Sequence, residues 1–432
     1  MSNNLNINVK HLTRVEGHGN IVVNATEGKV ERVEWQVPEA PRFFEAMIRG
    51  RSYEDIQIIV SRICGICSIS HSLVATKAVE NATGIEVSEQ TDLLRRLLHY
   101  SEQLQSHVLH IGYLAAPDFF GVKSVVPLVG IAKDAVLTIV KAHRVANDWS
   151  ELLGGRITHP VTIKPGGFHS IPTEAQLREL QATLKATMAD IGTIAGVVLS
   201  VADQIPAFER DTEYVSLYEA PRYAFYDSDI VSTDGQTRPV SEWESVANEY
   251  VVDQSTAKWA KWNRDAYAVG ALARFNNNYN QLVDGAKDIA AKAGLKQGCC
   301  NPYMNTVAQL VECVEIAESS LAIIDTLLTN GLVEEKGKQT PKAGKGAAGI
   351  EAPRGILFHS YEFDDKGVCL GGNMCIPTNQ NHGNIQRDFE KLVPEIMDEG
   401  EDAVRQKLEM LVRAYDPCIS CSTHMLDVKF VK

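Results

Sequence analysis

The stretch Arg62-Ile-Cys64-Gly-Ile-Cys67-Ser-Ile-Ser-His71 has a counterpart near the other end of the chain, Asp416-Pro-Cys418-Ile-Ser-Cys421-Ser-Thr-His424. Each C-x-x-C pair sets two thiols one turn apart, close enough to hold one metal ion. Four soft thiolates suit zinc, iron–sulfur, nickel or copper(I). Between Cys67 and Cys418 lie 350 residues, far more than the ~15–20 of a compact zinc ribbon. A single four-cysteine site therefore requires a fold that brings its last residues back to residue 64. A structural zinc stapling the two ends is the plain alternative, and it needs no crowd of charged neighbours. Here Arg62, His71, Asp416 and His424 flank the same thiols, as expected where bound ligands need hydrogen bonds and protons need a route.

The rest of the composition is globular. With 432 residues, 44% apolar and 22% charged, the chain is neither a disordered tail, a collagen nor a small disulfide scaffold. That length allows two or three domains or one large one. A net charge of −13 argues against broad nucleic-acid binding, which needs Lys and Arg to displace phosphate counterions. The first ten residues are polar, with no charged segment leading into an apolar one. The longest charge-free run of the helical middle, Ile191 to Ala202, is short of the ~18–20 apolar residues of a spanning helix. The expectation is a soluble chain without a membrane span. Nine cysteines, an odd count without scaffold density, read as reduced thiols.

Periodicity outlines the elements. Strands are expected at Ile21–Val23 and Val30–Val37 around a Glu27-Gly28 turn. From Thr91, Leu93, Leu94, Leu97, Leu98, Leu104, Val108 and Ile111 recur at helical steps. A second helix runs from Lys133 to Leu153 and stops at Gly154-Gly155. Capping boxes at Thr173-Glu-Ala-Gln176 and Thr306-Val-Ala-Gln309 open a third and a fourth, the last running to Leu328. Residues 205–260 are mixed, with a hairpin at Asp234-Gly235. Glu334–Gly349 reads as a loop, followed by a hairpin of Ile356–Phe363 and Val368 onward, turning at Asp365-Lys-Gly367. The expected class is α+β: a large helical body with small β pieces near both termini.

Three other blocks carry polar residues beside constrained backbone: Arg14-Val-Glu16-Gly-His18, Pro41-Arg42-Phe-Phe-Glu45 and Glu351-Ala-Pro353-Arg354-Gly355. Alone, they read as a polar turn, an amphipathic helix start and a surface arginine. Gly344-Lys-Gly346-Ala-Ala-Gly349 fits G-x-G-x-x-G, but no strand precedes it and no helix follows, so it is a false positive. Cys299, Cys300, Cys313, Cys369 and Cys375 lack ligand spacing and read as packing thiols.

Taken together, these blocks resemble the large, catalytic subunit of nickel–iron hydrogenases. Both cysteine motifs match, as do the Glu16, Glu45 and Arg354 blocks and Gly154-Gly-Arg156-Ile-Thr-His159-Pro160, in the same order from residue 11 to 424. The resemblance implies that Cys64, Cys67, Cys418 and Cys421 bind nickel. Cys67 and Cys421 would also bridge to an iron carrying carbon monoxide and cyanide. It places Arg354, after Pro353, over the open face of the metals with Asp416 close by, and Thr378 on a cyanide. His71 would steady a bridging sulfur, and Glu45 and His424 would bind a magnesium or iron ion near the carboxy terminus.

Dihydrogen is a very weak acid, so heterolysis needs a Lewis-acidic pair and a nearby base. The resemblance assigns the proton to Cys418, assisted by Arg354, and then to Glu16. It gives this chain no iron–sulfur cluster, so electrons leave through an iron–sulfur small subunit. Ser106 stands where many membrane-linked relatives have Asp, which leans toward the cytosolic, multisubunit, viologen-reducing and deazaflavin-non-reducing branch. The acceptor there is a heterodisulfide-reductase or ferredoxin-type partner. A flavin/NAD(P) module is the runner-up, and a non-catalytic relative from respiratory complex I a third reading, opposed by the four intact cysteines. The implied catalytic unit is residues 1–424, cytoplasmic. Residues 425–432 would be an extension removed by a maturation endopeptidase.

Overall fold

The computed structural model describes residues 4–226, 228–335 and 339–424; the expected extension after His424 lies outside them. Its first sheet is the antiparallel series β1 (Leu5–Val9), β2 (Asn20–Thr26) and β3 (Lys29–Gln36). In β2, Ile21, Val23 and Ala25 face the core at alternate positions, with Val22 between them also buried. After β3 come a single turn, α1 (Phe44–Met47), and then α2 (Ser68–Thr83).

Four long helices make the body: α3 (Glu89–Leu109), α4 (Lys133–Gly154), α5 (Glu174–Ser200) and α6 (Asn305–Asn330). The ends follow local chemistry. The Ser88 hydroxyl accepts from Thr91 N at the start of α3, where Glu89 and Asp92 complement the helix dipole. A capping box of Thr173 and Gln176 opens α5, and α4 stops at Gly155 in the left-handed region. The box expected at Thr306 does not form. Helix α6 begins one residue earlier, at Asn305, and Gln309 reaches instead toward His110 and Asp416. A tertiary partner took the side chain that the local pattern assigned to a cap.

Helix α5 also departs from expectation. It is 27 residues long and, by length and composition, apolar enough to cross a membrane. In the fold it lays Leu177, Leu180, Leu184, Ile191 and Ile194 against α4 and α6.

A third difference lies at 344–349, expected as loop. These residues open β4 (Gly344–Ala352), which pairs antiparallel with β5 (Gly355–Phe363) and through it with β6 (Cys369–Cys375). Strand β4 runs directly on the backbone of α2. A Cβ on Gly346 would stand 2.2 Å from Ala82 N, and one on Gly344 2.4 Å from Ala82 O. The glycines that suggested a loop are there to let a strand touch a helix. Gly346→Ala is therefore expected to cost about 1–3 kcal/mol, the range for overpacking, read as a lower urea midpoint with unchanged slope.

Mid-chain, a four-stranded sheet from residues 213–268 includes the expected hairpin, Asp229–Ser232 with Thr237–Arg238. The two ends of the chain meet through backbone bridges, Glu16 with Cys418 and Arg42 with His424. Helix α7 (Pro377–Ile396) and the final turn α8 (Ile419–Ser422) seat the C-terminal segment there, and His382 of α7 is hydrogen-bonded to both Trp35 and Ser422.

Candidate metal centre

Cys64 follows a tight turn at Ser61–Ile63, Cys67 immediately precedes α2, and Cys418 immediately precedes α8, which contains Cys421. Their four Sγ atoms lie within 4.8 Å of one another, all buried. Cys64 Sγ accepts from the backbone N–H of Ile66 and Cys67 and is 3.6 Å from Cys418 Sγ. Burial opposes its ionisation, yet S–H groups of Cys418, Cys421 and Cys67 hold the Cys64 thiol well below its usual range. Those same contacts push Cys418 well above it. A cation bound among these sulfurs displaces their thiol protons.

Arg354 spans one side. Its Nε donates to Asp416 O at 2.6 Å and its Nη2 to Asp416 Oδ1 at 2.8 Å, both side chains buried. Burial disfavours its charge, but Asp416 and then Cys418, Cys67 and Cys64 raise its pKa further. Asp416 sits at φ 50, a left-handed conformation that a non-glycine residue holds only under tertiary constraint. Arg354 and Gln309 Nε2, which donates to Asp416 Oδ2 at 3.1 Å, supply it. Ser106 Oγ is 3.4 Å from Arg354 Nη1. The serine position that leaned the sequence toward one branch thus touches the arginine. Pro353 contributes its carbonyl, which accepts from Arg274 Nη2 at 3.1 Å.

Glu16 accepts from Ser420 N at 3.1 Å and from the Ser420 hydroxyl, so its carboxylate is fixed on the loop joining Cys418 to Cys421. Thr378 Oγ1 accepts from Cys418 N at 2.9 Å, leaving its own O–H to donate. His71, one turn beyond Cys67 on α2, has Nδ1 3.3 Å from His359 Nε2, while its buried Nε2 has no partner among the described residues. Burial pushes the His71 ring down to about 4. Glu102 caps this helix from α3, accepting from Ile69 N and Ser70 N; burial lifts its carboxyl to about 8 against those donors.

A second polar cluster lies beside the first. His424 Nδ1 is 2.8 Å from Glu45 Oε1 and its Nε2 is 3.1 Å from Glu249 Oε1. Although burial opposes it, those carboxylates raise the pKa of His424. Glu45 Oε2 is buried without a partner among the described residues.

The four cysteines, Glu16, His71, Arg354, Thr378 and Asp416 come together in the first cluster and Glu45 and His424 in the second, whereas Arg62 is exposed and His159 packs behind the first cluster, with its N–H on Ser68 Oγ and Nδ1 3.0 Å from Ser61 O. Several contributors were not foreseen. Arg42 donates to Ile63 O at 2.7 Å and Ser420 O at 2.5 Å, clamping both cysteine motifs together. Its position in the Glu45 block was the available signal. Glu249, in the mixed region, had none. Arg274 is buried between Glu312 and Glu351, holding the segment before Arg354. Arg274 keeps Glu312 down at about 2, whereas burial lifts Glu351 to about 7.

Comparison with known proteins agrees with this geometry. The family model described as nickel-dependent hydrogenase matches residues 42–135 and 164–424, and a HoxL-like model matches 6–40. The chain is 30% identical to the alpha chain of sulfhydrogenase 2 of Pyrococcus furiosus, over 97% of this chain and 99% of that one. It is also 30% identical to a chain of the F420-non-reducing hydrogenase vhu of Methanocaldococcus jannaschii, over 89% and 97%. An NAD+-reducing NiFe-hydrogenase crystal structure superposes with a TM-score of 0.86 at 26% identity, covering 97% of this chain and 99% of that one. A Ni-Fe-Se hydrogenase from D. vulgaris Hildenborough, at 22% identity and TM-score 0.76 over 98% and 100%, shares the fold. Four buried sulfurs gathered from the two ends of such a fold, with family matches along most of its length, have one meaning: the chain belongs to the nickel-dependent hydrogenases, as a nickel–iron large subunit.

Proposed function

We propose that Cys64, Cys67, Cys418 and Cys421 hold the nickel of this hydrogenase, with Cys67 and Cys421 shared with an iron that carries carbon monoxide and cyanide. The observation that carries the reading is the convergence of four buried Sγ atoms within 4.8 Å, from motifs at opposite ends of the chain. The donors fit the groups: soft sulfurs for nickel and iron, and a free Thr378 hydroxyl proton beside Cys418. Glu45 Oε2, buried without a partner among the described residues next to His424, fits a magnesium or iron ion, with Glu249 in support.

Bound there, the metals supply Lewis-acid polarisation of dihydrogen. The protein's residues manage the proton. Cys418 sulfur accepts it in the field of Arg354, which Asp416 orients. Glu16, anchored on Ser420 two residues further on, receives it and passes it outward. A buried arginine held by one carboxylate costs no reorganisation when charge develops at the sulfur.

Electrons leave to an iron–sulfur small subunit. Arg62, Arg156 and His159 lie together near Cys64, and Ile157 and Val161 beside them are exposed, which supports this side as the one that meets the small subunit. Named relatives are themselves subunits of larger hydrogenases. Beyond the small subunit, a heterodisulfide-reductase or ferredoxin-type acceptor in the cytoplasm is the first reading. The fit to the NAD+-reducing structure favours an NAD(P)-linked module as the second. Residues 1–424 act as one catalytic unit once an endopeptidase has removed 425–432.

Metal analysis and dihydrogen-dependent viologen reduction on the complex purified from its native host test this reading. Stoichiometric nickel, iron in excess of it and dye reduction are expected, and copurifying chains identify the acceptor. Zinc alone, with no dye reduction, would overturn it.

A further inference from the structure

Asp416 is held from behind by side chains that the mechanism above does not use. Among the described residues it is the carboxylate paired with Arg354, so the place of the guanidinium depends on the place of Asp416. The helix Glu401–Ala414 has just ended there, and Asp416 enters the left-handed region at φ 50, which residues other than glycine seldom occupy. Hydrogen bonds from elsewhere in the fold keep it there.

They come from two helices. On α6, Asn305 Nδ2 donates to Ala414 O at 2.8 Å and, one turn on, Gln309 Nε2 donates to Asp416 Oδ2 at 3.1 Å. Residues four apart share a helix face, so one face of α6 grips the segment at both places. From the wide turn His110–Ala115 that closes α3, His110 Nε2 reaches Arg413 O at 2.7 Å, the carbonyl that also accepts the backbone N–H of Asp416. His110 Nδ1 lies 2.5 Å from Gln309 Oε1, so the ring braces the far end of the amide. The register of the two helices is set beside it. His107, one turn before His110, meets Glu312, one turn after Gln309, at 2.7 Å. Gln309, His110 and Asp416 are all buried, where bulk water does not replace a lost partner.

The two oxygens of Asp416 thus divide. Oδ1 accepts from Arg354 Nη2 and Oδ2 from Gln309 Nε2. The amide fixes the plane of the carboxylate, and that plane aims the guanidinium. Ser106 Oγ, 3.4 Å from Arg354 Nη1, adds only a long contact.

We propose that Gln309 is a positioning residue for dihydrogen activation, acting through Asp416 to hold Arg354 where it assists Cys418. The proposal rests on the roles given to Arg354 and Asp416 above.

The test is dihydrogen-dependent dye reduction by the purified complex, expressed per nickel. Gln309→Glu replaces the donor by an oxygen, keeps the shape of the side chain and sets an acceptor against Asp416 Oδ2. It is expected to retain nickel and to lower kcat about 10–100-fold, the weight of one hydrogen bond to a charged group, with KM for dihydrogen little changed. In the Asp416→Asn background the same substitution is expected to change kcat by no more than about twofold. The asparagine amide there donates to the new carboxylate while its oxygen still faces Arg354. A merely structural role predicts losses that multiply. Gln309→Met, without donor or charge, is read by the same measures should the glutamate variant lack nickel. Unchanged turnover per nickel, losses that multiply, or loss of nickel in both variants would overturn the proposal. Full turnover in Asp416→Asn alone would overturn the pairing of Asp416 with Arg354 as part of the mechanism, and this inference with it.

Discussion

Serine in place of Cys421 is expected to give a large subunit without nickel and without dihydrogen-dependent dye reduction. The hydroxyl is a hard, poorly ionised donor where the cluster offers three soft sulfurs, and nickel at such a site selects thiolate. Cys421 is also where the ends of the chain touch: its Sγ lies 3.6 Å from Ile63 O, beside the first motif. The variant should nevertheless fold, because Arg42 ties Ile63 to Ser420 through its own hydrogen bonds and His382 joins Trp35 to Ser422. Cys313→Ser is the control. That thiol is buried in α6 outside the cluster, and its loss should leave nickel content intact. Full nickel in Cys421→Ser would remove Cys421 from the ligand set.

Glu16→Gln is expected to keep nickel and iron while lowering turnover by about 10²–10⁴-fold, the usual weight of a positioned proton-transfer group. The amide preserves the shape and one acceptor for Ser420, so the loop between Cys418 and Cys421 stays in place. It lacks the ability to take up and release a proton. The loss should therefore appear in kcat, with KM for dihydrogen little changed, as for an interaction needed only as the proton moves. Glu16→Asp, a shorter acid, should recover part of the rate. Turnover at the unsubstituted rate in Glu16→Gln would send the proton by another route.

The elements with the clearest local signals are legible in the sequence. The hairpin of β2 and β3, the helical run of α3, both ends of α4, the start of α5 and the turn at Asp365-Lys-Gly367 follow from periodicity, caps and turn residues, which act over a few positions. The errors came where a distant element overrode the local preference. Gly344 and Gly346 read as loop because glycine disfavours strands in isolation; they form one because α2 leaves no space for a Cβ. Gln309 read as a cap and was recruited by His110 and Asp416.

The same division holds at the site. Two C-x-x-C motifs with Arg, Asp and His neighbours marked a thiolate metal site by themselves, because ligand type and spacing within a motif are local properties, while the choice of nickel and iron came from the resemblance of the whole chain. They also required the chain to close over 350 residues, without saying how. Only the tertiary structure decided that Arg42 would be the clamp and that Glu249 would come to His424. Those contacts join residues with no sequence relation to one another. Their partners are chosen by burial, where a polar group left unpaired costs more than a pairing gains.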